Sequence, residues 1–113
     1  MRSISLRIDL TDDGRIGPGK VELLEQIATH GSISAAARQM GMSYRQAWLL
    51  IEDINRLFRK PVVTARKGGR HGGGAELTPV GLTIVARYRA IERAADAAAA
   101  PHIAALREEI EDG

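Results

Sequence analysis

Two short stretches of the sequence carry side chains suited to binding a polyanion. The first, "SYRQAW", runs from Ser43 to Trp48. An arginine such as Arg45 can pair bidentately with guanine, and a glutamine such as Gln46 can pair with adenine. The hydroxyl groups of Ser43 and Tyr44 can reach phosphates or bases. These residue types in adjacent positions predict a contact with double-stranded DNA.

The second stretch, "RKGGRHGGG", holds five glycines among basic and titratable side chains. Glycine lets a backbone come close to a phosphate or fit a narrow groove. Insertion into the minor groove and contact with the DNA backbone both remain open interpretations. The residues of this loop that we expect to contact DNA are Arg66, Lys67, Gly69, Arg70, His71 and Gly73.

The distribution of charge supports a polyanion as the partner. The net charge is only +2, but no acidic residue lies between Asp53 and Glu76. Acidic residues collect instead near the N-terminus and in the tail that starts at Glu92. This polarity indicates one face for a polyanion and the remainder for solvent or protein.

Helices are predicted to position the first stretch. Pro18 opens the first helix, because proline is tolerated in a first turn, and Gly31 stops it. Ser32 or Ser34 can cap a second, short helix that runs through Met40. We expect both serines to contact DNA as well.

A third helix is predicted from a cap at Ser43 to about Phe58, with its apolar residues in one stripe and Pro61 beyond its end. A short helix, a tight turn and a longer helix make a helix-turn-helix, whose last helix enters the major groove with its first turn. Trp48 can stack on a sugar or pack against the second helix and the loop. We favour packing, because a lone tryptophan is usually a core or rim residue.

Short strands are predicted on either side of these helices. Alternating apolar residues over Ser3–Leu10, a turn and a return at Arg15–Gly17 predict an N-terminal hairpin. Residues 62–65 and 75–78 flank the glycine-rich loop and predict a second hairpin. That hairpin would be the wing of a winged helix-turn-helix, so the fold class is mainly α with small β-hairpins.

A long helix is predicted to begin at Pro79, and Pro101 is expected to break or kink it. Residues 1–78 would then form the DNA-binding domain and residues 79–113 a C-terminal dimerisation helix of the same domain. Its alanine-rich half needs a protein partner, because so small a chain has little left to cover it. The residues expected at the dimer contact are Val80, Ile84, Tyr88, Ile91 and Ala95.

The stretch "GSISAAARQMGMSYRQAWLLIEDIN", followed by "KGGRHGGGAELTPVG", resembles the N-terminal DNA-binding domain of the ModE family of molybdate-responsive transcription regulators. It is more distantly similar to the LysR-type winged helix. The resemblance covers roughly Ile16 to Ile91. It implies a DNA-binding role for Ser43, Tyr44, Arg45 and the wing, dimerisation through the long helix, and a link to molybdenum metabolism.

The resemblance does not extend to oxyanion sensing. Full-length members of the family bind the oxyanion through C-terminal domains, whereas this chain ends at Gly113, a few turns after the predicted dimer helix. The molybdate-sensing role of the family is therefore not carried over, and no set of residues in this chain supports binding of molybdate or another oxyanion, at the basic wing or across a dimer interface.

Other functional classes have little support. The sequence "GGRHGGG" lacks the ending of a nucleotide-binding P-loop. Cysteine is absent, the three histidines lack ligand spacing, and no nucleophile–base constellation is found, so we expect no enzyme, metal or cofactor. No apolar run approaches the length of a membrane span, and a cytoplasmic location without membrane contact is expected.

The sequence thus predicts a homodimeric regulator that binds a pseudo-palindromic DNA site. An alternative from another class remains open. The chain can instead be a protein-interaction module that heterodimerises with a longer regulator through the same long helix.

Overall fold

A computed structural model describes residues 4–66 and 74–112 of the chain. β1 pairs antiparallel with β2, and β3 pairs antiparallel with β4. The architecture is the predicted one, a winged helix-turn-helix that continues into a long C-terminal helix. The elements in chain order are β1 (Ile8–Asp9), β2 (Arg15–Ile16), α1 (Pro18–His30), α2 (Ile33–Gln39), α3 (Tyr44–Phe58), β3 (Val63–Arg66), β4 (Gly74–Leu77) and α4 (Pro79–Asp112).

Local chemistry fixes the ends of the first three helices. Gly31 adopts a left-handed conformation with φ 67°, and its N–H donates to the Ile27 carbonyl, which ends α1. The Ser32 hydroxyl accepts a hydrogen bond from the Ala35 N–H at 3.1 Å and caps α2. The cap of α2 is therefore Ser32, which decides between the two serines that the sequence offered.

Two boundaries differ from prediction for identifiable reasons. The first strand is only Ile8–Asp9, because the segment before it lies along α4, where the Leu6 carbonyl accepts a hydrogen bond from the Tyr88 hydroxyl at 2.6 Å. Of the two effects predicted for Pro101, the break is wrong, since α4 continues through that residue, and the kink stays a prediction. Proline removes one hydrogen bond to the carbonyl of Ala97, but Ala97 is exposed and water can replace the missing donor.

The core lies where α1, α2 and α3 meet the first turns of α4. Burial of these apolar side chains is the main stabilising contribution to such a small domain. Its buried members are Ile16, Val21, Leu23, Leu24, Ile27, Ile33, Ala36, Ala37, Ala47, Ile51, Ile54, Val62, Ala75, Ile84 and Tyr88.

The wing is fastened to the helices at its base. The Ala75 N–H donates to the Gly31 carbonyl at 2.9 Å, which joins β4 to the turn between α1 and α2. On the other side, the Thr78 hydroxyl donates to the Pro61 carbonyl at 2.7 Å and accepts from the Gly81 N–H at 3.2 Å, capping α4. Gly81 is buried so closely that a Cβ there would overlap the Val62 carbonyl oxygen. The wing and α4 therefore share one rigid junction.

An ion-pair cluster fixes α4 against α1. The Arg89 guanidinium donates to both carboxylate oxygens of Glu25, at 3.0 and 2.5 Å, and to Glu92 at 2.5 Å. These hydrogen bonds, led by that of Glu25, raise the pKa of Arg89 although burial opposes the shift. The cluster therefore fixes the direction in which α4 extends away from α1, α2 and α3. The longest dimension of the molecule is 59 Å.

In the part of the chain that the structure describes, no helix is both long enough and apolar enough to cross a bilayer.

Candidate nucleic-acid interface

The first two turns of α3 form an exposed surface next to the turn that follows α2. One side of α3 is buried through Ala47, Ile51 and Ile54. The other side exposes five side chains to solvent between positions 44 and 49. These exposed residues are Tyr44, Arg45, Gln46, Trp48 and Leu49.

The start of α3 is well formed before any ligand binds. The Ser43 hydroxyl accepts a hydrogen bond from the Gln46 N–H at 3.0 Å. A hydroxyl can accept and donate at once, so the cap leaves Ser43 able to donate to a phosphate. The first turn contains no acidic residue, and the free amides of a helix start attract anions.

The turn before α3 is held by α2. The Met42 N–H donates to the Ala37 carbonyl at 3.0 Å, and Gly41 adopts φ 68° within the turn. Because α2 is packed through Ile33, Ala36 and Ala37, the direction of α3 is set by the core. This is the arrangement by which a helix-turn-helix aims its last helix at a groove.

The predicted residues Ser32 and Ser34 lie beside this surface. A groove of about 320 Å³ separates the start of α2 from the wing, and the side chains of α3 form one wall. Ser34 is exposed there, whereas the Ser32 hydroxyl is engaged in the cap of α2. The groove is lined by Ser32, Ile33, Ser34, Tyr44, Trp48, Val63, Thr64, Ala65, Gly74 and Ala75.

Trp48 occupies the rim of this groove, and its side chain is 37% exposed. Its ring meets that of Tyr44 edge to face, with centroids 6.3 Å apart and planes at 79°. The ring contact of Trp48 is thus with Tyr44 of the same helix, and the predicted packing of Trp48 against α2 and the wing stays a prediction. Trp48, Leu49 and Thr64 lie on or beside this surface but were not among the predicted contacts, although Trp48 and Leu49 follow "SYRQ" after the single residue Ala47.

Arg66 is the last residue of β3 and pairs with Gly74 at the loop end of the wing hairpin. Its guanidinium lies over Gly31 and Gly74, so close that a Cβ at either glycine would stand 3.0 to 3.2 Å from its nearest nitrogen atoms. Arg66 is nevertheless exposed and remains accessible to a phosphate. The predicted wing contacts that lie outside the described residues are Lys67, Gly69, Arg70, His71 and Gly73.

The residues predicted for dimerisation differ in how far they are exposed in the single chain. Ile84 and Tyr88 are buried in the core of the single chain, and Val80 and Ala95 are half-buried. Ile91 is 45% exposed and lines an apolar groove of about 290 Å³ between the N-terminal hairpin and α4. A partner chain can therefore reach Ile91, whereas the side chains of Ile84 and Tyr88 are already buried within their own chain.

Within the described ranges, no group of three or more histidine, cysteine, aspartate or glutamate side chains is arranged to hold a metal ion.

The fold and the exposed start of α3 define a winged helix-turn-helix of the DNA-binding type. Residues 19–82 match the family described as bacterial regulatory helix-turn-helix protein, lysR family. The chain belongs to this family.

Curated relatives share part of their length with this chain. Molybdenum-pterin-binding protein MopB of Rhodobacter capsulatus is 53% identical over 78 residues, which are 69% of this chain and 29% of that protein. The DNA-binding transcriptional dual regulator ModE of Escherichia coli (strain K12) is 41% identical over 71 residues, 63% of this chain and 27% of that regulator. The chain thus spans less than a third of the length of these relatives, and the predicted resemblance to ModE proteins is confirmed.

A solved structure shows the same fold. The crystal structure of the CbnR_DBD-DNA complex matches 78% of this chain and 95% of its own chain, with a TM-score of 0.59 at 19% sequence identity.

Proposed function

We propose that this protein is a transcription regulator that recognises a specific DNA sequence through the first two turns of α3. The observation that carries the proposal is the exposed, acid-free start of this helix, where Ser43 to Gln46 combine a phosphate donor with side chains able to read bases. The strands of the wing lie beside it across the groove, with Arg66 at the end of β3. The proposed contact set is Ser32, Ser34, Ser43, Tyr44, Arg45, Gln46, Arg66, Lys67, Gly69, Arg70, His71 and Gly73.

The direct test is to incubate the purified protein with fragmented genomic DNA of its source organism at about 150 mM salt and to sequence what is retained. Salt near this value suppresses much of the nonspecific electrostatic binding. Recovery of a shared motif supports sequence-specific binding. Recovery of nothing above background contradicts the proposal.

Two variants separate base recognition from phosphate contact. Arg45→Ala should bind the recovered site less tightly and relax its base preference, while Lys67→Ala should weaken binding to specific and random DNA alike. Arg93→Ala removes an exposed charge from α4 and serves as the control. Equal losses on specific and random DNA from Arg45→Ala would refute its proposed role.

We also propose that the protein acts as a homodimer joined through α4. The exposed apolar side chains of Leu82 and Ile91 and the apolar groove beside Ile91 support a protein contact on this helix. Two joined copies would place their α3 helices in successive major grooves, about 34 Å apart or a multiple of it, on a pseudo-palindromic site. If the dimer neutralises about six to eight phosphates, the logarithm of the affinity should fall with the logarithm of salt concentration with a slope of roughly −5 to −7.

Sedimentation without DNA tests the dimer. Ile91→Arg should shift the protein to monomer, whereas Leu49→Asp, an exposed substitution on α3, should leave the dimer intact. A wild-type protein that sediments as a monomer would instead favour the heterodimerising module.

A link to molybdenum metabolism is part of the same proposal and is supported by the names of relatives such as MopB. The recovered genomic fragments test it directly. Fragments unrelated to molybdenum genes would refute the link while leaving sequence-specific binding in place.

A further inference from the structure

The start of α3 carries more exposed apolar surface than hydrogen bonding to bases requires. Tyr44 and Leu49 are each 51% exposed, and Trp48 is 37% exposed. Eight large apolar side chains are exposed among the described residues, and these three fall within six consecutive positions. We call Tyr44, Trp48 and Leu49 the apolar patch of α3.

The apolar patch shares its surface with the residues proposed to read bases. Tyr44 and Trp48 stand four residues apart and therefore lie in one row along the helix, as do Arg45 and Leu49 in the next row. The two rows form a continuous surface of about two turns. A partner that reaches Arg45 must therefore also cover Leu49 and the exposed part of Trp48.

The patch is held in shape before binding. The edge-to-face contact with Tyr44 and the groove wall restrict the ring of Trp48. A fixed aromatic surface loses little conformational entropy when it meets a ligand. The restricted position of the Trp48 ring therefore favours specific recognition of a group at a fixed position over nonspecific hydrophobic binding.

Only one base edge in the major groove presents an apolar group. Thymine carries a 5-methyl group there, whereas the other bases offer hydrogen-bond donors and acceptors. We infer that the apolar patch of α3 reads thymine 5-methyl groups in the half-site, with Leu49 and Trp48 as specificity-determining residues. This inference rests on the proposed function and adds the chemical class of base that the site must contain.

The test removes the methyl group and nothing else. A duplex selected by the full-length protein from a random library is resynthesised with deoxyuridine in place of thymidine, one position at a time. Affinity is measured by fluorescence anisotropy at about 150 mM salt. One or two positions per half-site should lose affinity about four-fold each, which corresponds to about 0.8 kcal/mol for one buried methyl-sized group.

Variants connect the loss to the patch. In Leu49→Ala or Trp48→Ala the ratio of affinities for the thymine and uracil duplexes should fall to within 1.5-fold at a sensitive position. Leu49 is exposed, so its substitution leaves the core intact. The Leu49 variant therefore still tests the inference if the Trp48 variant fails to fold. Leu106→Ala, at a residue 66% exposed on the far part of α4, is the matched control and should retain the four-fold ratio.

Four outcomes would overturn the inference. Uracil tolerated at every position of a duplex that is still selected would refute methyl recognition while leaving sequence-specific binding standing. A penalty that persists in both α3 variants would place the methyl contact elsewhere. A change of oligomeric state in Leu49→Ala without DNA would make the patch a protein contact. Selection of no duplex at all would refute the proposed function together with the inference.

Discussion

Replacement of Arg89 by methionine should destabilise the protein by much more than an ordinary surface substitution. Arg89 joins α4 to α1 through Glu25 and also binds Glu92, which is only 5% exposed. Methionine preserves much of the length of the side chain but removes the charge and the donors. Glu92 would then stay buried without its guanidinium partner.

The magnitude follows from the burial of the partners. Removing one member of a buried ion pair costs about 3–5 kcal/mol. Glu25 is about one-third exposed and can recover some hydration, so the lower end applies. We expect a loss of about 3 kcal/mol, which lowers Tm by about 12 °C in a domain of this size.

Urea unfolding followed by circular dichroism measures this loss, with Arg93→Met as the matched control on the exposed side of the same helix. The control should change the free energy of unfolding by less than about 0.5 kcal/mol. The double variant Arg89→Met/Glu92→Met should recover a substantial part of the loss, because it also removes the buried carboxylate and leaves only Glu25, which is about one-third exposed. The reasoning fails if Arg89→Met unfolds like the control, or if the double variant is less stable than the single one.

Further substitutions test the close contacts of the fold by the same unfolding assay. Gly81→Ala should cost about 1–3 kcal/mol because its methyl would overlap a backbone carbonyl, whereas Gly19→Ala, which meets nothing within 4 Å, should stabilise by about 0.5–1 kcal/mol. A stabilised Gly81→Ala would disprove that contact. Tyr88→Phe should cost about 1–2 kcal/mol by leaving the Leu6 carbonyl unpaired, and an unchanged stability would argue against this bond. Arg59→Gly should gain about 0.5–1 kcal/mol by relieving φ 55°; a loss would contradict that strain.

Much of the fold could be predicted because its signals are local. The caps at Ser32 and Ser43, the stop at Gly31 and the proline that opens α4 each depend on a few neighbouring residues, and all lie at element ends in the structure. The exposed start of α3 could be predicted for the same reason. Its buried stripe leaves only one side of the helix for solvent.

The remaining features depend on contacts between distant parts of the chain. The sequence places Tyr88 and Ile84 in the apolar row of α4, but it does not indicate that the N-terminal segment, with Leu6, covers that row. The stacking of Arg66 over Gly31 likewise joins residues on separate elements. Pro101 shows the converse case, where a residue that usually ends a helix does not end α4; the carbonyl that loses its donor belongs to the exposed Ala97, where water can reach it.

The ion-pair cluster has a mechanical consequence. From Glu92 to Asp112 the helix forms an arm about 30 Å long, while Arg89 fastens its inner end to α1. The cluster is thus the point about which this arm would rotate. A rotation of only about 5° there would move the tip of the arm by roughly 3 Å. Because α1 packs against α2 and α3, a force applied at the tip would be transmitted through Arg89 and Glu25 to the whole helical bundle.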